Sequence, residues 1–117
     1  MPVQIFGLEK DPATRAAQRF FKERRIGISF VDLNRKPIAA GELRRFVERL
    51  GVRALADAEG TAWREAGLGY LAMDHTELAE RLLGDQRLLR LPLVRSGNLF
   101  GVGRDEAAWK RIAAGSG

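Results

Sequence analysis

Few residues in this chain have the type and spacing for chemistry. There is no cysteine among its 117 residues and only one histidine, His75. The missing sulfur excludes disulfides, thiolate catalysis, cysteine-ligated metals and iron–sulfur clusters together. A histidine-based metal site lacks a second imidazole, and Asp57, Glu59 and Asp74 do not have metal-ligand spacing. Gly101-Val102-Gly103 follows a strand-like run but lacks the third glycine and the following βα crossover of a phosphate-binding turn. No Ser/His/Asp arrangement is supported. What stands out is Asp11-Pro12, an acidic residue at the expected start of a helix. Its carboxylate can accept the free amide hydrogens of the first turn, and proline suits the first helical position.

The elements that must hold these residues are legible along the chain. Val3-Gln4-Ile5-Phe6 reads as a strand ended by Gly7, and the helix opened at Asp11 runs to about Arg25. Ala13, Ala16, Ala17, Phe20 and Phe21 give that helix an apolar stripe. Residues 27–33 read as a second strand, and 40–50 as a helix with Leu43, Phe46, Val47 and Leu50 inward, stopped by Gly51. A strand, helix and strand of these lengths form a βαβ unit with parallel strands. The stretch 52–69 is less regular, with one helical turn at 61–64. A helix at 76–83 points Leu78, Leu82 and Leu83 inward. Residues 91–95 and 98–102 read as a hairpin around Ser96-Gly97. A last helix over about 105–113 turns Ala108, Trp109 and Ile112 inward, which leaves 114–117 as a flexible tail.

The size is that of one domain, 1–113, with a helical insertion at about 40–84. Lys and Arg number 20 against 15 Asp and Glu, a net charge of +5 spread along the chain. The fold class expected is α/β: a thioredoxin-like, central mixed four-stranded sheet flanked by helices. No apolar run approaches the roughly 20 residues that span a bilayer, and the start shows no signal-peptide pattern. A cytoplasmic protein is the expectation.

The order of elements, with its residues, resembles the arsenate reductase/Spx family. Ile5-Phe6-Gly7-Leu8 looks like that family's opening. Asp32-Leu33, Lys36, Pro37, Glu42-Leu43, Phe46 and Leu50-Gly51 match its segment after the second strand. Gly60-Thr61-Ala62-Trp63-Arg64 is similar to its Gly-x-x-Trp/Tyr-Arg element. Leu88-Leu89-Arg90-Leu91-Pro92-Leu93-Val94 looks like its Leu-Ile-x-Arg-Pro-x-Val strand, with Gly101-Val102-Gly103 after it. The likeness runs from about Val3 to Ile112.

The resemblance implies a cysteine where this chain has Asp11. Family enzymes carry Cys-x-x-[Ser/Thr]-Arg at the start of the first helix, and the matching residues here are Asp11, Pro12, Ala13, Thr14 and Arg15. The arginine that precedes the family's cis-proline is replaced by Leu91, and Pro92 takes the proline's place. Arg15 and Arg64 are the remaining anion-binding candidates. A carboxylate can neither exchange with thiols nor carry redox equivalents, so Asp11, Thr14 and Arg15 form a degenerate site without a catalytic residue. Two roles follow. One is a cysteine-less pseudoenzyme, a redox-independent interaction or transcription-regulatory module. Spx-type members imply the C-terminal domain of the RNA polymerase α subunit as the class of partner, and Arg44, Arg45 and Arg49 form a basic face for an acidic surface. The other is an arsenate reductase-like or glutathione-linked enzyme, on this glutaredoxin-like scaffold, that borrows the thiol of its substrate beside Pro92. Neither a metal nor another cofactor is expected. Arginine outnumbers lysine sixteen to four, yet interleaved aromatics and recognition motifs for nucleic acid are missing.

Overall fold

The computed structural model describes residues 2–116, the side chains of Tyr70 and Ser116 excepted. The elements are β1 (Val3–Gly7), α1 (Pro12–Glu23), β2 (Ile28–Asp32), α2 (Ala40–Leu50), α3 (Val52–Leu55), α4 (Thr61–Glu65), α5 (His75–Gly84), β3 (Leu93–Ser96), β4 (Leu99–Val102) and α6 (Glu106–Ser116). Short 3-10 turns at Leu68–Tyr70 and Gln86–Leu88 flank α5. The chain divides into two compact units, one of residues 1–37 and 91–117 and one of 38–90.

The first unit holds the sheet, in the order β2-β1-β3-β4. β1 and β2 are parallel, whereas β3 runs antiparallel to both β1 and β4. The sheet is therefore mixed and four-stranded, as expected. Helical spacing in α1 turns Ala16, Ala17, Phe20 and Phe21 onto Val3, Ile5 and Val94, and α6 adds Trp109 and Ile112. The Phe20 and Phe21 rings meet edge to face at 5.1 Å, and Trp109 tilts against Phe20 at 5.7 Å. Burying aromatic and branched side chains of this size stabilises the unit by roughly 1.5–3 kcal/mol each.

The second unit is helical. Ile38, Leu43, Phe46, Val52, Leu55, Ala56, Leu68, Leu78, Leu82, Leu88 and Leu89 are its buried apolar residues. Asp74 caps α5, its Oδ1 accepting from Glu77 N–H at 2.8 Å. Gln86 ties the start of the unit to α5: its Oε1 accepts from Ile38 N–H at 3.0 Å, and its Nε2 donates to the Leu82 carbonyl at 3.2 Å.

Three local expectations are corrected. The hairpin turn is Gly97-Asn98, because Ser96 still pairs with Leu99 and Gly97 takes the positive φ of 58° that the reversal needs. Leu83, expected inward, is 38% exposed, since the buried stripe of α5 uses Leu78 and Leu82. α6 continues to Ser116, so 114–116 carry helical backbone instead of a frayed tail. Gly115 supports this run, because a Cβ there would come within 2.6 Å of Leu99 Cδ1. Gly117 lies outside the described residues.

Candidate functional site

The turn from β1 into α1 collects the residues that matter. Asp11 has extended backbone (φ −76°, ψ 122°), so its side chain can reach back over the first turn, and Pro12 starts the helix. Its Oδ2 accepts two hydrogen bonds from one residue. Thr14 N–H donates at 2.9 Å and Thr14 Oγ1 donates at 2.7 Å. Asp11 is half-buried, and Thr14 is fully buried although polar. A buried hydroxyl without a partner costs about 1–3 kcal/mol. Here the hydroxyl has one, and it is an ionisable carboxylate.

Gly7 makes room for this pair. A Cβ at Gly7 would touch Thr14 Oγ1 and lie 2.7 Å from Thr14 Cγ2, closer than real contacts allow. The end of β1 thus presses directly on the first turn of α1. The same strand end is bound on its other flank, where Leu33 N–H donates to the Gly7 carbonyl at 2.9 Å.

The Leu91–Pro92 peptide bond is cis. Phe6 pairs with Leu93 in the β1–β3 ladder, so the next antiparallel step sets Pro92 at the Gly7 end of the sheet. The Pro92 carbonyl accepts from Gly103 N–H at 2.9 Å, which ties the entry of β3 to the exit of β4. Pro92 is buried and Leu91 is half-exposed. The β1–α1 turn of Asp11, the Gly7 strand end and the cis-proline therefore share one end of the first unit.

Arg15 follows Thr14 on α1 and is exposed, its side chain absent from the cap. Arg64 belongs to the second unit. It sits on α4, exposed, with a long hydrogen bond of 3.3 Å from Nη1 to the Glu59 carbonyl. Arg44, Arg45 and Arg49 are exposed on α2 of the second unit. His75 is the exposed first residue of α5, directly after the Asp74 cap. No group of three or more His, Cys, Asp or Glu able to hold a metal occurs among the described residues. No helix among them is long and apolar enough to cross a membrane.

Two features escaped the sequence. One is the contact of Gly7 with Thr14, which the glycine ending a strand before a helix start could have signalled. The other is a groove beside β2, lined by Glu9, Phe30, Val31, Asp32, Arg35 and Lys36. Only the sheet order reveals it.

Comparison with known proteins fits this architecture. An ArsC family related protein from Bacteroides fragilis superposes with a TM-score of 0.86 at 18% identity, covering 96% of this chain and 98% of that one. Arsenate reductase from Vibrio cholerae superposes at 0.83 with 21% identity, again covering 96% and 98%. A YffB protein gives 0.84 at 19% identity, covering 98% and 99%. At such identities these structures show a common fold. A search of curated protein sequences returned no match. Residues 9–112 match the ArsC family as a whole, and this chain, which has no cysteine, belongs to that family.

Proposed function

We propose that this chain is a pseudoenzyme of the ArsC family, without arsenate reductase activity, and that it acts as a redox-independent protein-interaction or transcription-regulatory module in the cytoplasm. One observation carries the reading: the carboxylate of Asp11 occupies the first turn of α1 and is held there by Thr14 N–H and Oγ1. A helix N-terminus with free amides attracts an anion and lowers the pKa of a thiol placed there. In this chain both roles are taken. The amide of Thr14 is already bonded, the Asp11 carboxylate stands where an oxyanion would approach, and no cysteine thiol exists to attack arsenic or exchange with a second thiol. Leu91 contributes an apolar side chain in place of a cationic one.

The proposed interaction surface includes the exposed arginines of α2, Arg44, Arg45 and Arg49, whose planar guanidinium groups suit carboxylate partners. The C-terminal domain of the RNA polymerase α subunit is the candidate partner that the family resemblance supplies. The test is turnover by the purified full-length chain with arsenate, glutathione and glutaredoxin. We expect the rate of the uncatalysed mixture. Arsenite formation above that background overturns the reading.

The place of Pro92 beside the Gly7 strand end favours one second reading. It is a glutathione-linked enzyme in which the thiol comes from the substrate and Arg15 steers its carboxylates. A rise in melting temperature with millimolar glutathione, together with loss of that rise in Pro92→Ala, would establish it over the first.

A further inference from the structure

β2 is the outer strand of its sheet, and half of its peptide groups face away from β1. The Gly27 carbonyl accepts from Val3 N–H, and Leu33 N–H donates to the Gly7 carbonyl, each at 2.9 Å. Parallel pairing uses the N–H and C=O of alternate residues on one strand. Gly27, Ser29, Val31 and Leu33 therefore turn theirs toward β1, and Ile28, Phe30 and Asp32 turn theirs outward. The Asp32 carbonyl is occupied, accepting from Arg35 N–H and Lys36 N–H at 3.0 Å each. The outward groups of Ile28 and Phe30 make no hydrogen bond among the described residues. Ser29 is exposed, and Ile28, Phe30 and Val31 are only half-buried. A groove of about 550 Å³ opens along this edge, lined by Glu9, Phe30, Val31, Asp32, Arg35 and Lys36.

An exposed edge of this kind is a template for another strand. We propose that the outer edge of β2 takes one extended segment of a partner protein as a fifth strand, with acidic residues flanking an apolar or β-branched centre. The proposal rests on the interaction role above and names a surface for it.

Charge decides the occupant. Exposed cations stand at both ends of β2: Arg24 and Arg25 before it, Arg35 and Lys36 after it. Arg24 is fixed in place, its guanidinium 3.5 Å above the Phe20 ring and donating to the Phe20 carbonyl at 3.0 Å. A second copy paired about a two-fold axis at Phe30 would bring the Arg24–Arg25 end of one chain to the Arg35–Lys36 end of the other. Like charges so placed oppose self-association. A segment with acidic ends meets cations at both. Within the groove Asp32 is already engaged, its Oδ1 accepting from Asn34 N–H at 2.9 Å and its Oδ2 lying 3.9 Å from Arg35 Nε, a long exposed pair that an acidic partner group can exchange. Glu9 sits at the C-terminal end of β2, so the partner's acidic residues belong beyond its paired residues, not among them. Main-chain bonds to Ile28 and Phe30 would supply affinity, and the flanking charges selectivity.

The test uses the full-length, 15N-labelled chain and a blocked peptide with a threonine–valine core and two glutamates at each end. We expect it to shift the amide resonances of Ile28, Phe30 and Asp32. Affinity should fall about tenfold in the double variant Arg35→Glu/Lys36→Glu, whose melting curve serves as the folding control. Methylating the peptide's own backbone nitrogens at alternate core residues should abolish binding without touching the protein. Three results overturn the proposal: unshifted amides at millimolar peptide, equal affinity for a peptide with lysine ends, or a dimer in sedimentation with those amides protected before any peptide is added. Arsenate turnover leaves this titration readable, and a failed titration leaves the turnover result standing, so the two readings fail separately.

Discussion

Asp11, Thr14 and Gly7 act as a unit, and each can be tested against the others. Replacing Asp11 by alanine removes the acceptor for Thr14 N–H and Oγ1, so urea denaturation should report a loss of about 1–2 kcal/mol. Gly7→Ala should cost about 1–3 kcal/mol, because the new methyl meets the Thr14 side chain. That cost should shrink by more than half in a Thr14→Ala background, which removes the two atoms in the way. Additive effects in this double-mutant cycle would show that the strand end and the helix turn are not coupled. A second residue-scale prediction concerns acid. The Arg87 guanidinium, hydrogen-bonded to the Asp85 carboxylate, lowers the pKa of Asp85 below its ordinary value. A lowered folded-state pKa adds stability above the unfolded value of about 3.9 and loses it as pH falls through the folded value. The pair is close to solvent, so the effect is small. Arg87→Gln should be less stable than the parent at pH 6, and the difference should close by pH 2.

At the scale of elements, what the sequence revealed depended on how local the deciding signal was. The helix at Ala40–Leu50 was legible because a stop glycine and 3.6-residue spacing act within a few residues. The Asp11 cap was legible for the same reason. The hairpin was displaced by one residue, since Ser96 joins β3 only through pairing with Leu99 across the turn. Gly97→Ala forces a side chain into the positive-φ region and should cost about 1–2 kcal/mol, read as a lower denaturation midpoint. The end of α6 and the exposure of Leu83 were illegible because neighbours outside each helix decide them. For α6 that neighbour is Leu99, against which Gly115 packs. The burial of Thr14 likewise needs β1 to arrive beside α1, which no spacing within the helix announces.

For the whole molecule, the proposed function separates the ArsC fold from the ArsC reaction. The mixed sheet, the cis peptide bond before β3 and the helix opened at Asp11 depend on packing and capping, none of which requires sulfur. In the proposed reading the reaction depends on a cysteine nucleophile, and this chain has no cysteine. A ligand that binds the folded state raises its stability by mass action. Ten-millimolar arsenate should therefore leave the melting temperature of the parent chain unchanged within about 1 °C, although the net charge of +5 would favour anions in general. Asp11→Ala vacates the first turn, and the same arsenate should then raise its melting temperature relative to an equal ionic strength of chloride. A rise in the parent would place an anion site elsewhere on the molecule.

The two bonds from Thr14 to the Asp11 carboxylate make that carboxylate an internal competitor for any anion that would bind the first turn of α1. The carboxylate is tethered three residues from its binding groups, so it meets them at an effective concentration that is about millimolar even for short flexible linkers. A free oxyanion must displace a competitor that never diffuses away. Dilution, dialysis or transfer between compartments cannot lift this occupancy, whereas a bound phosphate would leave under any of them. Under the proposed function, the helix start is therefore occupied whether or not an oxyanion is present.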